Sequence, residues 1–451
     1  MEIIISHSPF VKKLIGVQRY NCDKKYRILK FCIIKKLFDV VLIFNSMTKE
    51  LICLDQREFD DLTKENLDSN IYKELVNRWF LIPEETDDVK LNEQIENCSL
   101  PFDYRFQENH YIIATTLDCN ARCFYCFEYG SNRESMSTQT AHKTAEYIYK
   151  TCRNKPVFIQ WFGGEPLYNC NVIDVISDDL RNQNVEFKAI MISNGYLFDR
   201  EIVKRAKKNW NLKLVQITLD GTEKVYNKIK SYINNDSNPF EKVLNNINLL
   251  IQSKIHVRIR MNLGRHNVND LYKLVDIIYD RFGISEYLKV YAWALFDGCG
   301  AGKRVKSTEE RQYLTNELLK LENYINNKGY KKNLYLNRQI KCYRCMADND
   351  RSIMILPNGN LSKCERCTNE TKLGNIENYS FDIPEFAEWK ERCAPMKSCK
   401  TCPLLPECRR LKKCPDEKYF QCDDFEYKKK INSIMAAMQS EYERYCEKKN
   451  S

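Results

Sequence analysis

Only five histidines occur among the 451 residues, so neither a His-rich zinc centre nor a catalytic imidazole is expected to carry the chemistry. Long apolar runs are missing too. None approaches the ~18–20 residues of a membrane span, and the N-terminus MEIIISHSPFVKK has neither the basic start nor the apolar stretch of a secretory signal. These absences predict a cytoplasmic protein with no membrane partner. Charge of one sign is not concentrated either. The 71 Lys and Arg stand against 61 Asp and Glu, a modest excess without the density of a nucleic-acid-binding stripe. No internal repeat or low-complexity tract is present. What is present is enough apolar material, 43% of residues with 12% aromatic, to fill the cores of about three domains at this length.

Cysteine is abundant, at 21 residues. A reducing cytoplasm does not keep so many as structural disulfides, which leaves metal binding or catalysis as the explanation. Three of them, Cys119, Cys123 and Cys126, fall within eight residues, and ten lie between Cys342 and Cys422. The other eight are scattered singly and read as small buried hydrophobes.

Periodicity divides the chain. Residues 1–95 alternate apolar and polar positions in YRILKFCIIKK and VVLIFNSMTKELICL, the second as two strands around Asn45–Thr48, and then turn helical, which predicts a small α+β module. The polar stretch Pro83–Asn97 reads as a linker. Across 105–300, six β-rich runs (YIIATTL, VFIQWF, KAIMIS, KLVQITL, HVRIRMNL, LKVYAWALF) alternate with helical segments. That pattern predicts an α/β fold, a partial (β/α)6 barrel with its chemistry at the C-terminal ends of the strands. A bridging helix occupies 301–340, a Cys-rich and helix-poor region 341–425, and a last amphipathic helix 426–451.

The first barrel strand ends in TTLDCNARCFYCFEYG. Its C-x3-C-x2-C loop can hold three irons of a [4Fe–4S] cube and leave the fourth open, although a partial zinc site completed by a distant residue has similar ingredients. The end of strand two, WFGGEPL, brings Gly163, Gly164 and Glu165, where missing side chains permit a close backbone approach. Later strand ends carry ISNG (Ser193, Asn194) and TLDG (Asp220). These short polar groups suit ribose hydroxyls, and equally an Asx turn or a helix cap. In the C-terminal region, Cys342-x2-Cys345-x18-Cys364-x2-Cys367 around Pro357-Asn358-Gly359 matches a zinc ribbon with a hairpin between its pairs.

The triplet, Tyr125 before its third cysteine, and WFGGEPL together resemble the radical S-adenosylmethionine (SAM) superfamily from Tyr111 to Phe296. The resemblance implies that the open iron chelates SAM and that one electron cleaves the cofactor's sulfur–C5′ bond to a 5′-deoxyadenosyl radical, making Cys119, Cys123 and Cys126 catalytic. It also implies that Gly163, Gly164 and Glu165 receive the SAM ammonium. Relatives often follow the DG with His-Asp-x-x-Arg, the Arg addressing the SAM carboxylate. Here Tyr226, Asn227 and Lys230 stand instead, and Lys230 lacks the bidentate fork. Arg258, Arg260 and Asn262, alternating on strand five, are candidates for that role.

The C-terminal spacing also reads Cys345-x13-Gly359-x4-Cys364, continuing to Cys399, Cys402, Cys408, Cys414 and Cys422. It resembles the seven-cysteine SPASM domain, which binds two auxiliary [4Fe–4S] clusters and so raises the expected total to three. By that resemblance Cys345, Cys364 and Cys414 hold the first, with Cys342 a possible fourth ligand, and Cys399, Cys402, Cys408 and Cys422 hold the second. Five residues rather than three separate Cys408 from Cys414, a departure that bears on Cys414. Cys367 and Cys393 fall outside the motif. The first 95 residues resemble the winged-helix-like leader-recognition element of ribosomal-peptide maturases, in which a leader adds a strand to a sheet edge. The expected enzyme therefore crosslinks a ribosomally made peptide, forming a Cys thioether, with electrons from a donor such as flavodoxin or ferredoxin. A sulfatase maturase making formylglycine and a non-catalytic Fe–S or zinc scaffold are the alternatives.

Overall fold

The computed structural model describes residues 1–6, 16, 18–64, 69–95, 97, 108–128, 130, 132–233, 238–295, 306–330, 334–338, 345–366, 373–377, 386–393, 397–408, 410–415 and 422–450. Cys342 and Cys367 lie outside these residues.

The N-terminal module is a sheet of four antiparallel strands in the order β1-β5-β4-β3. Its strands are β1 (Glu2–Ile5), β3 (Cys32–Lys36), β4 (Val40–Asn45) and β5 (Glu50–Asp55), followed by helices α1 (Gln56–Thr63) and α2 (Ser69–Asn77). Asp55 starts α1 with a capping box, its carboxylate accepting from the Glu58 amide while Glu58 reaches back. One departure concerns YRILKFCIIKK, which splits in two: β2 (Tyr26–Ile28) leaves the main sheet and pairs with β6 (Leu81–Pro83). A second concerns the expected linker. Residues 88–95 are helical, and the buried Asp88 accepts from the Lys30 amide at 2.9 Å and pairs with Arg27 at 2.5 Å. A polar stretch whose charge is matched from a strand 61 positions away is anchored, not free.

The six predicted barrel strands are all present. They are β7 (Asn109–Thr116), β8 (Val157–Gly163), β9 (Phe187–Ser193), β10 (Leu212–Thr218), β11 (His256–Leu263) and β12 (Leu288–Ala294), parallel and in sequential order. Between them run α3 (Thr138–Thr151), α4 (Cys170–Asn182), α5 (Arg200–Lys208), α6 (Glu223–Lys230), α7 (Pro239–Gln252) and α8 (Val268–Phe282). Alternation along the strands explains the layering. Tyr111, Ile113, Ile159, Trp161, Val257 and Ile259 pack outward in one core with the helices. Intervening positions face the concave side, apolar at Ile112, Ala114 and Phe162 and polar at Gln160, Gln216 and Arg260. Helix α9 (Thr308–Asn327), capped by Ser307, follows β12.

The sheet does not stop at β7. From the Cys-rich region, β13 (Ser352–Ile355) pairs in parallel with β7, and β14 (Leu361–Ser362) pairs antiparallel with β13. The expected turn at Pro357-Asn358-Gly359 closes that hairpin, with Gly359 at φ +82°. After the short helix α10 (Phe386–Lys390), the described chain ends in α11 (Asp424–Asn450), whose Ala437 and Met438 cover the face of the N-terminal sheet that displays Leu42, Phe44 and Leu51. Among the described residues no helix is long and apolar enough to cross a membrane.

Candidate active site at the strand ends

The Cys119–Cys126 loop leaves β7 at the C-terminal rim and is stitched to the end of β8 by backbone bonds. The Gly164 amide donates to the Thr116 carbonyl and the Glu165 amide to the Asp118 carbonyl, both at 3.0 Å. The two glycines make this contact possible. Gly163 sits at φ +123°, and a Cβ there would lie 2.0 Å from the Thr116 oxygen; one on Gly164 would lie 2.3 Å from that of Asp118. The close approach expected toward a ligand is thus made to the cysteine loop's own backbone. Replacing Gly163 by Ala combines a forbidden φ with a backbone clash, and is expected to cost roughly 3 kcal/mol, read as a fall in the urea midpoint.

Glu165, fully buried, braces the next strand. Its carboxylate accepts from Ser193 Oγ and the Asn194 amide at 2.8 Å each and from the Leu167 amide at 3.3 Å. Burial pushes its pKa up to about 7, against the pull of these donors. Ser193 Oγ also accepts from the Gly195 amide, which ties Glu165 to the turn after β9. Asn194 Nδ2 donates to Asn120 Oδ1 at 2.7 Å and lies 3.8 Å from Cys119 Sγ.

Beneath the loop lies a buried network that the sequence did not announce. The Tyr125 hydroxyl donates to Asp220, and Lys230 Nζ reaches Asp220 at 3.0 Å and the Tyr125 oxygen at 3.1 Å. Asp220 accepts further from the Asn262 amide at 3.1 Å, and its carbonyl from Asn267 Nδ2 at 2.7 Å. The Lys230 carbonyl takes the Arg122 amide at 2.8 Å. Burial pushes the Lys230 ammonium down, but the charge of Asp220 beside it more than offsets this and holds its pKa well above the ordinary lysine value. The charge of Lys230, expected to stand in for a carboxylate-binding arginine, is matched inside by Asp220, and the side chain anchors the loop through Tyr125. Asp220 is likewise occupied. Arg260 turns to the concave side, donating to Asn262 Oδ1 at 3.0 Å, with Arg258 two residues earlier on the same face. Asn267 caps no amide of α8 because its side chain is spent on Asp220, Asn262 and Gly264; an Asn before a helix reads as a cap, so its true role left no signal.

Among the described residues no three His, Cys, Asp or Glu side chains converge on a point as ligands of one ion. A cube differs, since its irons are spread over its corners and its thiolates stand apart around it. The loop suits such a group. Cys119, Cys123 and Cys126 are half-buried free thiols whose pKa values burial pushes up, with a smaller upward push from Cys123 on both Cys119 and Cys126. The buried Asn120 Nδ2 beside them has no partner in the protein, a donor left for a bound acceptor.

The C-terminal cysteines fall into two places. Cys364 and Cys414 pack at the border of the barrel core, and Cys345 is near enough to Cys364 to feel its charge. Cys399, Cys402, Cys408 and Cys422 line one cavity of about 270 Å³, with Cys393 on the same wall. Burial, then the neighbouring Cys408 and Cys399 thiols, push the Cys422 pKa up, an effect that Arg410 and Lys430, which lies 4.0 Å from Cys408 Sγ, offset only in part.

Comparison with known proteins agrees with this geometry. Residues 113–278 match the radical SAM superfamily. The cysteine-type anaerobic sulfatase-maturating enzyme of Clostridium novyi is 32% identical over 172 residues, covering 35% of this chain and 44% of that protein. The chain thus spans less than half the length of this curated relative. The fold of native anSMEcpe, solved with bound AdoMet and Cp18Cys peptide, superposes with a TM-score of 0.55 at 16% identity over 76% of this chain and 99% of that one. Streptococcus suis SuiB bound to S-adenosylmethionine superposes at 0.52 and 16% over 88% and 99%. The matched segment holds the cysteine loop, the glycine-stitched strand end and the buried Tyr125–Asp220–Lys230 network on one parallel sheet, and the chain therefore carries a radical SAM domain.

Proposed function

We propose that the chain modifies a ribosomally made peptide, joining a Cys sulfur to a carbon as a thioether, with one [4Fe–4S] cluster at Cys119, Cys123 and Cys126 and two auxiliary clusters in the Cys-rich region. The observation that carries the auxiliary assignment is the convergence of Cys399, Cys402, Cys408 and Cys422 on one cavity. These are the four residues the SPASM resemblance groups together. Cys345, Cys364 and Cys414 would hold the other cluster, with Cys342 as its further candidate. When bound, the first cluster and SAM supply the radical that removes hydrogen from an unactivated carbon.

The protein's own residues position that chemistry. Gly163, Gly164 and Glu165 lock the loop to β8 and β9, Asp220 and Lys230 fix Tyr125 from below, and Asn120 and Asn194 present side-chain amides beside Cys119. Ser193, Asn194 and Arg260 remain the proposed contacts to SAM. The edge strand β3, bonded only to β4 among the described residues, is the proposed site for strand addition by a leader peptide. The SuiB superposition supports this module as more than an extension, because its coverage cannot be accommodated by residues 96–451 alone. Electrons would come from a flavodoxin or ferredoxin.

The test is to incubate the reconstituted protein with dithionite, SAM and any short Cys-containing peptide whose reading frame adjoins its gene. Release of 5′-deoxyadenosine with a peptide two hydrogens lighter and a cysteine resistant to alkylation is expected. A carbonyl-reactive product would replace this reading by formylglycine formation, and absence of 5′-deoxyadenosine by a non-catalytic scaffold.

A further inference from the structure

The segment between Cys402 and Cys408 is rooted in the N-terminal module rather than in the Cys-rich region that carries it. Leu404 is buried among Leu42, Phe44 and Leu51 of the module's sheet and Met438 of α11. Leu405 packs against another cluster of the module, which holds Leu29, Phe31, Met47 and Ile95. Polar contacts repeat the attachment. Ser46 Oγ, in the β4–β5 turn, donates to the Pro403 carbonyl at 2.7 Å. The adjacent Lys49, 3% exposed, pairs with Glu407 and donates to the Ser46 carbonyl at 2.5 Å. The helical stretch at 88–95 completes the arrangement, since Val89, Asn92 and Glu93 line the same cavity as Cys399, Cys402, Cys408 and Cys422.

We propose that the N-terminal module is a structural part of the second cysteine site, forming one wall of its cavity and holding two of its cysteines in place, so that peptide docking on the module and coordination at that site are thermodynamically linked. The proposal rests on the reading of these four cysteines as cluster ligands. Two links reach the docking edge. Strand β4 carries Phe44 into the cluster around Leu404, and Lys35 of β3 donates to Gln439 Oε1 at 2.6 Å and to the Met435 carbonyl at 3.1 Å on α11. Helix α11 also carries Lys430, beside Cys408. A strand added along β3 would stiffen the elements that fix the cavity, and by reciprocity an intact cysteine site would favour docking.

The experiment compares the reconstituted parent with Ser46→Ala/Lys49→Met, challenging each with a ferrous chelator and an alkylating agent and mapping labelled cysteines by mass spectrometry. Iron release and alkylation of Cys399, Cys402, Cys408 and Cys422 are expected to accelerate at least tenfold, with Cys119, Cys123 and Cys126 unaffected. Because Lys49 is buried, the milder Glu407→Gln is run in parallel and should give a smaller shift of the same pattern. Rates at Cys399, Cys402, Cys408 and Cys422 that are the same in both variants as in the parent would overturn the proposal. Cys399→Ala/Cys402→Ala separates the underlying reading: if it retains all the parent's iron, these cysteines are not ligands, and the wall is then judged from alkylation of metal-free protein alone. There, an unchanged labelling rate in the variants refutes it.

Discussion

Replacing Cys119, Cys123 and Cys126 together by alanine is expected to bring 5′-deoxyadenosine formation below detection and to remove about four irons from the reconstituted protein, leaving about eight, because each cube holds four. The three sulfurs stand on one loop fixed by backbone bonds to β8 and by Tyr125 to Asp220, so the loop should keep its course without them. The C-terminal cysteines lie on other segments, and their iron should survive. Cys152, a buried thiol in the barrel core, is the control: Cys152→Ala should change neither iron nor product. Iron analysis and chromatography of the quenched reaction read both quantities. Deoxyadenosine from the triple variant would overturn the catalytic assignment, and loss of all iron would overturn the independence of the three sites.

The second large effect is expected at Lys230. Changing it to Met leaves Asp220 fully buried with its charge unmatched, and removing one partner of such a pair costs about 3–5 kcal/mol. That is a large part of the about 5–15 kcal/mol that separates a folded domain from its unfolded chain. Adding Asp220→Asn removes the stranded charge while keeping an oxygen that can still accept from the Asn262 amide and an Nδ2 that can donate to the Tyr125 oxygen. The double variant should therefore recover most of the lost stability, measured as the thermal midpoint. If Lys230→Met alone matches the parent in midpoint, the ion pair is not the anchor described.

The contrast between these two sites shows what was legible. Cys119, Cys123 and Cys126 stand out as candidate ligands because their spacing is a local property, and the six strands are readable because apolar alternation survives in every sheet whatever its neighbours. The ion pair of Lys230 is not legible because its partners, Asp220 and Tyr125, are 10 and 105 positions away and meet it only once β7, β10 and α6 are assembled. Glu165 illustrates the same limit: the GGEP run marks a strand end, but nothing local says that its carboxylate is consumed by β9. The stretch at 83–97 reads as a linker because its charges look unmatched until Asp88 meets Arg27. Attachment of the Cys402–Cys408 segment to the N-terminal module joins residues more than 350 positions apart, as the Ser46–Pro403 bond shows, and no periodicity records it.

The parallel pairing of β7 with β13 has a consequence for how the chain is made. His110 and Ser352 are register partners 242 positions apart, so the first barrel strand leaves the ribosome long before its outer neighbour exists. At about 5–20 residues per second that interval is roughly 10–50 s. Through it, β7 holds one row of unsatisfied amides and carbonyls along its edge while β8 to β12 zip up on the other side in order of synthesis. Such an edge invites pairing with another nascent chain. Slower elongation after β12 would lengthen the exposure, and a chaperone that shields the edge until residue 355 has emerged would raise the yield of native protein.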